Sequence, residues 1–132
     1  MVGEFAEKEP QILSYSDFKR IGAIEEGAII ERVKPMSLYT TQDWISVRKV
    51  SDALGREVET TGKYPVSAYI QEREKGRILV LGDGNTRAIV AWIRGVPVDV
   101  IVKGFLPKDQ RCISLSLLKR RYRDLFVGFE YG

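Results

Sequence analysis

The aliphatic run Ile78-Leu79-Val80-Leu81 stops at Gly82-Asp83-Gly84-Asn85-Thr86-Arg87, and helical spacing starts at once with Ala88, Ile89, Ala91, Trp92 and Ile93. Period-two or continuous aliphatics mark a strand, and a 3.6-residue period marks a helix. The chain therefore has only six residues in which to pass from one to the other. Glycines on either side of Asp83 supply the backbone freedom for a sharp turn. Gly95 then ends the helix, and "VPVDVIVKGF", Val96 to Phe105, reads as another strand. A strand, tight turn, helix and strand in this order predict a mixed α/β domain.

The flanking sequence extends that frame. Residues 1–10 read as frayed, and "SYSDFKRI" starts a short helix capped by Ser14 or Ser16. "AIIERV", Ala28 to Val33, has strand composition and ends before Pro35. "WISVRKVSDAL", Trp44 to Leu54, has helical spacing, with Asp43 as candidate N-cap and Gly55 as C-cap. The polar stretch from Arg56 to Tyr64 reads as a loop. "PVSAYIQERE" and "RILVL" form a hairpin across the intervening turn. Pro107 opens the longest helical pattern, with Ile113, Leu115, Leu117, Leu118, Tyr122 and Leu125 on its apolar side. The expectation is one α/β (α+β) domain over residues 1–132, with a small mixed sheet of about four strands and three or four helices. Its core spans about 28–105, and 106–132 form a C-terminal helix.

Composition limits the chemistry. The 132 residues contain no histidine and a single cysteine, Cys112. His-based zinc sites, Ser-His-Asp triads and Cys-His dyads are excluded, and one thiol cannot make a cysteine zinc site or an intrachain disulfide. Neither zinc nor haem is expected. No apolar run approaches the roughly 18 residues of a membrane span, and the N-terminus lacks a signal-peptide pattern, so the expected location is the cytoplasm with no membrane partner. The formal charge of +3 and isoelectric point near 9.0 favour anionic partners only mildly.

The glycine junction has two readings from its residues alone. Gly-Asp-Gly-Asn is good turn chemistry, with Asp83, Asn85 or Thr86 capping the helix. Equally, a helix N-terminus presents unpaired N–H groups and a positive dipole end, where Thr86 and the planar fork of Arg87 suit phosphate oxygens. Cations are not favoured by the dipole at this end, so Arg87 implies either a bound anion or a neighbouring acid. The stretch is neither a Walker A loop nor a dinucleotide fingerprint.

"LVLGDGNTRAIVAWIRGVPVDVIV" resembles the core of the ParB/sulfiredoxin superfamily, in which a strand ends in an Asp-Gly-x-x-Arg-type box followed by a short helix. The likeness covers about residues 28–105, and the box is its sharp part. It implies a nucleotide or phosphate ligand (ATP, ADP or CTP, with Mg²⁺) gripped by Gly82, Asp83, Gly84, Asn85, Thr86 and Arg87, and NTPase or phosphotransferase chemistry as the reactions such a site would serve. Asp83 would help hold the Mg²⁺, and Thr40, Thr41 and Gln42 would line the pocket rim. Asn85 and Thr86 stand where the sulfiredoxin branch has its catalytic cysteine and a histidine. Lys34-Pro35 matches the free-serine-kinase branch, but Met36-Ser37 follow where His and Glu would be expected, leaving Asp43 or Glu31 as substitute bases. The chromosome-partitioning branch suggests an alternative: a DNA-binding accessory module using Lys119, Arg120, Arg121 and Arg123 near Tyr122. The plainer reading of that cluster is a solvated helix face with positive charge near a helix C-terminus. A degenerate domain that has lost its ligand is the third reading. Trp92 reads as core, Trp44 as helix packing or a base platform, and Cys112 as a small buried hydrophobe in the last helix.

Overall fold

The structure, a computed structural model, describes residues 9–56 and 65–124. The expected loop from Arg56 to Tyr64, the frayed start and Leu125 fall wholly or largely outside the described residues.

The described chain runs β1 (Ile12–Ser14), α1 (Tyr15–Arg20), β2 (Ile29–Val33), a 3-10 turn (Pro35–Ser37), β3 (Tyr39–Thr40), α2 (Val47–Leu54), β4 (Val66–Arg73), β5 (Gly76–Leu81), α3 (Asn85–Arg94), β6 (Val98–Leu106), β7 (Ile113–Ser114) and α4 (Leu115–Arg121). All seven strands join one mixed sheet in the order β1-β2-β6-β4-β5-β3-β7. The four long strands expected from periodicity lie at β2, β4, β5 and β6. The sheet is nevertheless larger than the expected four strands, because β1, β3 and β7 add two or three residues each. Segments that short carry no readable alternation. They form because the existing sheet offers edges: β1 pairs parallel with β2, β3 pairs parallel with β5, and β7 pairs antiparallel with β3.

Alternation decides which face is buried. Val66, Ala68 and Ile70 of β4 and Val98, Val100 and Val102 of β6 join one core with Leu79 and Leu81 of β5. Against them α3 packs Ala88, Ile89, Val90 and Ala91. Phe18 from α1, Val50 from α2 and Leu115 and Leu118 from α4 complete it. Each fully buried large side chain contributes roughly 1.5–3 kcal/mol relative to exposure.

Helix boundaries follow hydrogen-bond competition. Ser14 caps α1 by accepting from the Asp17 amide at 3.1 Å. The helix expected from Trp44 begins instead at Val47, because the Ser46 hydroxyl accepts from the Lys49 amide and so fixes the first turn there, not at Asp43. The helix expected from Pro107 begins only at Leu115, capped by Ser114. Its missing first turns are explained by Gln71, which is fully buried. Its Nε2 donates to the carbonyls of Pro107 and Gln110 at 2.8 and 2.9 Å, holding residues 107–112 as a loop over β4. Cys112 therefore lies outside the helix, where its thiol donates to Gln71 Oε1 at 3.3 Å and accepts from Arg73 Nη2 at 2.7 Å. Leu117, expected on the apolar side, is exposed. No helix among the described residues is long and apolar enough to cross a membrane.

Candidate functional site

The junction after β5 is shaped from below. Gly82 donates its amide to the Ser67 carbonyl at 2.9 Å, and a Cβ there would stand 2.8 Å from Cε2 of Tyr69, so a side chain would force the ring or the loop to shift. Gly84 takes a left-handed backbone (φ 77°, ψ 19°), and its carbonyl accepts from the Ala88 amide at 3.0 Å to open α3. Gly84 is thus the N-cap residue, with no side-chain cap bond. Thr86 sits in the first turn, one of the positions whose amides an α-helix leaves without an internal partner. Arg87 Nη2 lies 3.3 Å from where a Gly84 Cβ would be, so its guanidinium folds back over the loop.

A second helix end meets this one. Gln42, Trp44, Ser46 and Lys49 border the same cavity as residues 82–87, a space of about 450 Å³. The N-termini of α2 and α3 therefore converge on it, together with Lys49 and Arg87. Helix N-termini carry positive partial charge, and Asp83 is the one carboxylate among the described lining residues. The approach of the β3–α2 loop is fixed by Thr40, which is buried. Its Oγ1 donates to Asn85 Oδ1 at 2.7 Å and accepts from the Gln42 amide at 3.1 Å. Gln42 Nε2 in turn donates to the Trp44 carbonyl at 2.8 Å.

A larger space of about 680 Å³ lies across Gly82 and Asp83, lined by Thr41, Ser67, Tyr69, Lys103 and Gln110 among others. It has one cation and no helix N-terminus, so the smaller cavity is the better match to an anion despite its size.

The expected site residues divide accordingly. Gly82 through Arg87 and Gln42 share the smaller cavity, and Thr41 lines the larger. Thr40 is a buried strut rather than a rim residue. Glu31 lies on β2, separated from β5 by β6 and β4, so it is not brought to the box. Asp43 is exposed beside Gln42 and Trp44, and its carbonyl accepts from Arg121 Nη1 at 3.4 Å. The basic residues lie at the end of α4 and just after it. Lys119 Nζ lies 5.1 Å above the Trp92 ring, and Arg120, Arg121 and Arg123 are exposed, Arg121 with its Nη1 at 3.4 Å from the Asp43 carbonyl. Trp44 is not packed in the core but half exposed at the cavity rim.

Sequence reasoning did not single out Ser46 and Lys49. A capping serine three residues before a lysine was the available signal, and it was hidden by the plausible cap at Asp43. Among the described residues no group of three or more Cys, Asp or Glu side chains is gathered to hold a metal ion. Comparisons of the chain with protein-family models, curated proteins and solved structures return no match.

Proposed function

We propose that this chain is a ParB/sulfiredoxin-like domain that binds a nucleotide or other phosphate ligand at residues 82–87. The observation that carries the reading is the convergence of two helix N-termini with Lys49 and Arg87 on one cavity. The amides of Gly84 to Thr86 cradle phosphate oxygens, as helix N-termini do elsewhere. Arg87 clamps two of them with its planar fork. Asp83 orients the loop or meets a Mg²⁺ ion that the phosphates also hold, since one carboxylate is too few for a protein cage. NTPase or phosphotransferase activity is the chemistry such a complex would serve, with Asp83 the acid that lines the cavity and Asp43 an acid between its rim residues Gln42 and Trp44.

Titration of the chain with ATP, ADP and CTP in the presence of Mg²⁺, by calorimetry, tests the proposal. Wild type binds at least one of them, and Arg87→Ala binds it about tenfold to a hundredfold more weakly, the ~1.5–3 kcal/mol of hydrogen bonds to a charged group. No binding to wild type, or equal binding to both, overturns it.

A second reading, a DNA-binding accessory module, draws support from the exposure of Arg120 and Arg123. It requires salt-dependent DNA binding through those residues.

A further inference from the structure

A groove on the opposite end of α3 from the phosphate cavity has a different chemistry. It lies between the 3-10 turn at Pro35–Ser37 and the residues that follow α3, encloses about 340 Å³, and is walled by Pro35, Met36, Trp92, Val96 and Pro97. Met36 is 55% exposed, although its own carbonyl is engaged by the Ser116 hydroxyl at 3.2 Å. The thioether is therefore presented outward by a backbone that is tied down. A flexible, polarisable side chain beside an indole suits an adaptable binding surface.

The margins of this groove are cationic. Arg32 and Lys34 line one side, and Lys119 stands over the Trp92 ring. Arg32 occupies a left-handed backbone position (φ 53°) at a break in the β2–β6 register. Its amide donates to Asp99 Oδ1 at 3.0 Å, which holds that conformation. A bulge of this kind re-aims a side chain. Among the described residues none that lines the groove carries a carboxylate.

We infer that this groove docks an acidic peptide segment of a partner protein, one that inserts an aliphatic or aromatic anchor between Met36 and Trp92 and sets carboxylates against Arg32, Lys34 and Lys119. Apolar anchors supply most of the affinity at such surfaces, and charge complementarity supplies orientation and encounter rate. Nucleic acid fits less well. Its phosphates would satisfy the cations, but it has no side chain to fill an apolar groove.

The test uses the whole chain with Trp44→Phe, which leaves Trp92 as the sole tryptophan of the two in the sequence. The probes are ten-residue synthetic peptides rich in Asp and Glu, carrying Leu and Phe three or four residues apart. A saturable change in Trp92 emission is expected at submillimolar peptide. Lys34→Glu weakens it at least fivefold and Met36→Glu abolishes it, while Lys75→Glu on the β4–β5 turn, an equal change in charge, leaves it unaltered. Circular-dichroism melts establish that each variant is folded. The inference is overturned if no peptide of the panel gives saturation, or if peptides with serine in place of both anchors bind equally well. It is also overturned if Lys75→Glu weakens binding as much as Lys34→Glu, or if a ten-base-pair duplex binds the groove more tightly than the peptides.

Discussion

Thr40 Oγ1 donates to Asn85 Oδ1 across 2.7 Å, joining the two-residue strand β3 to the first turn of α3. The same oxygen accepts from the Gln42 amide. One buried hydroxyl therefore sets both the position of the box and the approach of the loop that faces it. Thr40→Val keeps the shape and removes both bonds. Unmet buried polar groups cost about 1–3 kcal/mol, so urea denaturation is expected to show a loss in that range, accompanied by weaker nucleotide binding. A stability unchanged from wild type would show that the strut is dispensable.

The two glycines of the box are not equivalent to alanine. Gly84→Ala forces a Cβ into a left-handed backbone and to within 3.1 Å of Val66 Cγ1. The conformational part alone costs roughly 1–2 kcal/mol. Gly82→Ala meets the Tyr69 ring instead, and overpacking of this sort costs about 1–3 kcal/mol. Combining Gly82→Ala with Tyr69→Ser should recover part of the Gly82→Ala loss, whereas combining Gly84→Ala with Tyr69→Ser should not. Double-mutant cycles from denaturation midpoints check both statements.

Lys49 and Arg87 are expected to differ in kind. Lys49 is exposed, so Lys49→Ala should weaken phosphate binding by no more than about fivefold, in keeping with the ~0.2–1 kcal/mol of an exposed ionic contact. The contribution of Lys49 should also fade as salt rises from 50 to 500 mM, since exposed charges are screened. Calorimetric titrations at the two salt concentrations measure it.

Gln71 holds the 107–112 loop through two carbonyls while its own oxygen accepts from Arg73 Nε and the Cys112 thiol. Gln71→Leu fills a similar volume but strands those partners. A loss of about 1–3 kcal/mol is expected in urea denaturation, with faster alkylation of Cys112 by iodoacetamide once its loop loosens. Unchanged thiol reactivity would show that the loop is held elsewhere.

Arg120→Glu tests the accessory-module reading without disturbing packing, because Arg120 is exposed whereas Arg121 contacts the loop at Asp43. If α4 meets DNA, fluorescence anisotropy should show weaker binding and a salt slope shallower by about one phosphate contact, since the one cation Arg120 supplies is lost. A DNA affinity indifferent to the change removes this surface from consideration.

How much of this was legible depends on whether a signal was local. The long strands and α3 announced themselves by period, and Gly82 and Gly84 by the turn they require. Ser14 was readable as a cap because its helix follows immediately. β3 and β7 were not readable, since two residues have no alternation; β3 pairs because β5 leaves an edge, and β7 because β3 then leaves another. The late start of α4 depends on Gln71, 36 residues before Pro107 and brought to it by folding. At the site, the box was legible, but Lys49 entered only when α2 packed against α3. The apparent promise of Glu31 as a base came from sequence nearness to Lys34-Pro35, which the strand order undoes.

A Cβ at Gly82 would meet the Tyr69 ring and one at Gly84 would meet Val66, so the positions on both sides of Asp83 take a side chain only if a neighbour shifts. A glycine-rich loop usually suggests a flap that closes over its guest. This one is walled at both glycines by Tyr69 and Val66 of β4. Side chains added at either position would narrow the approach to the loop, so the choice of glycine there keeps the backbone amides within reach of a ligand's oxygens.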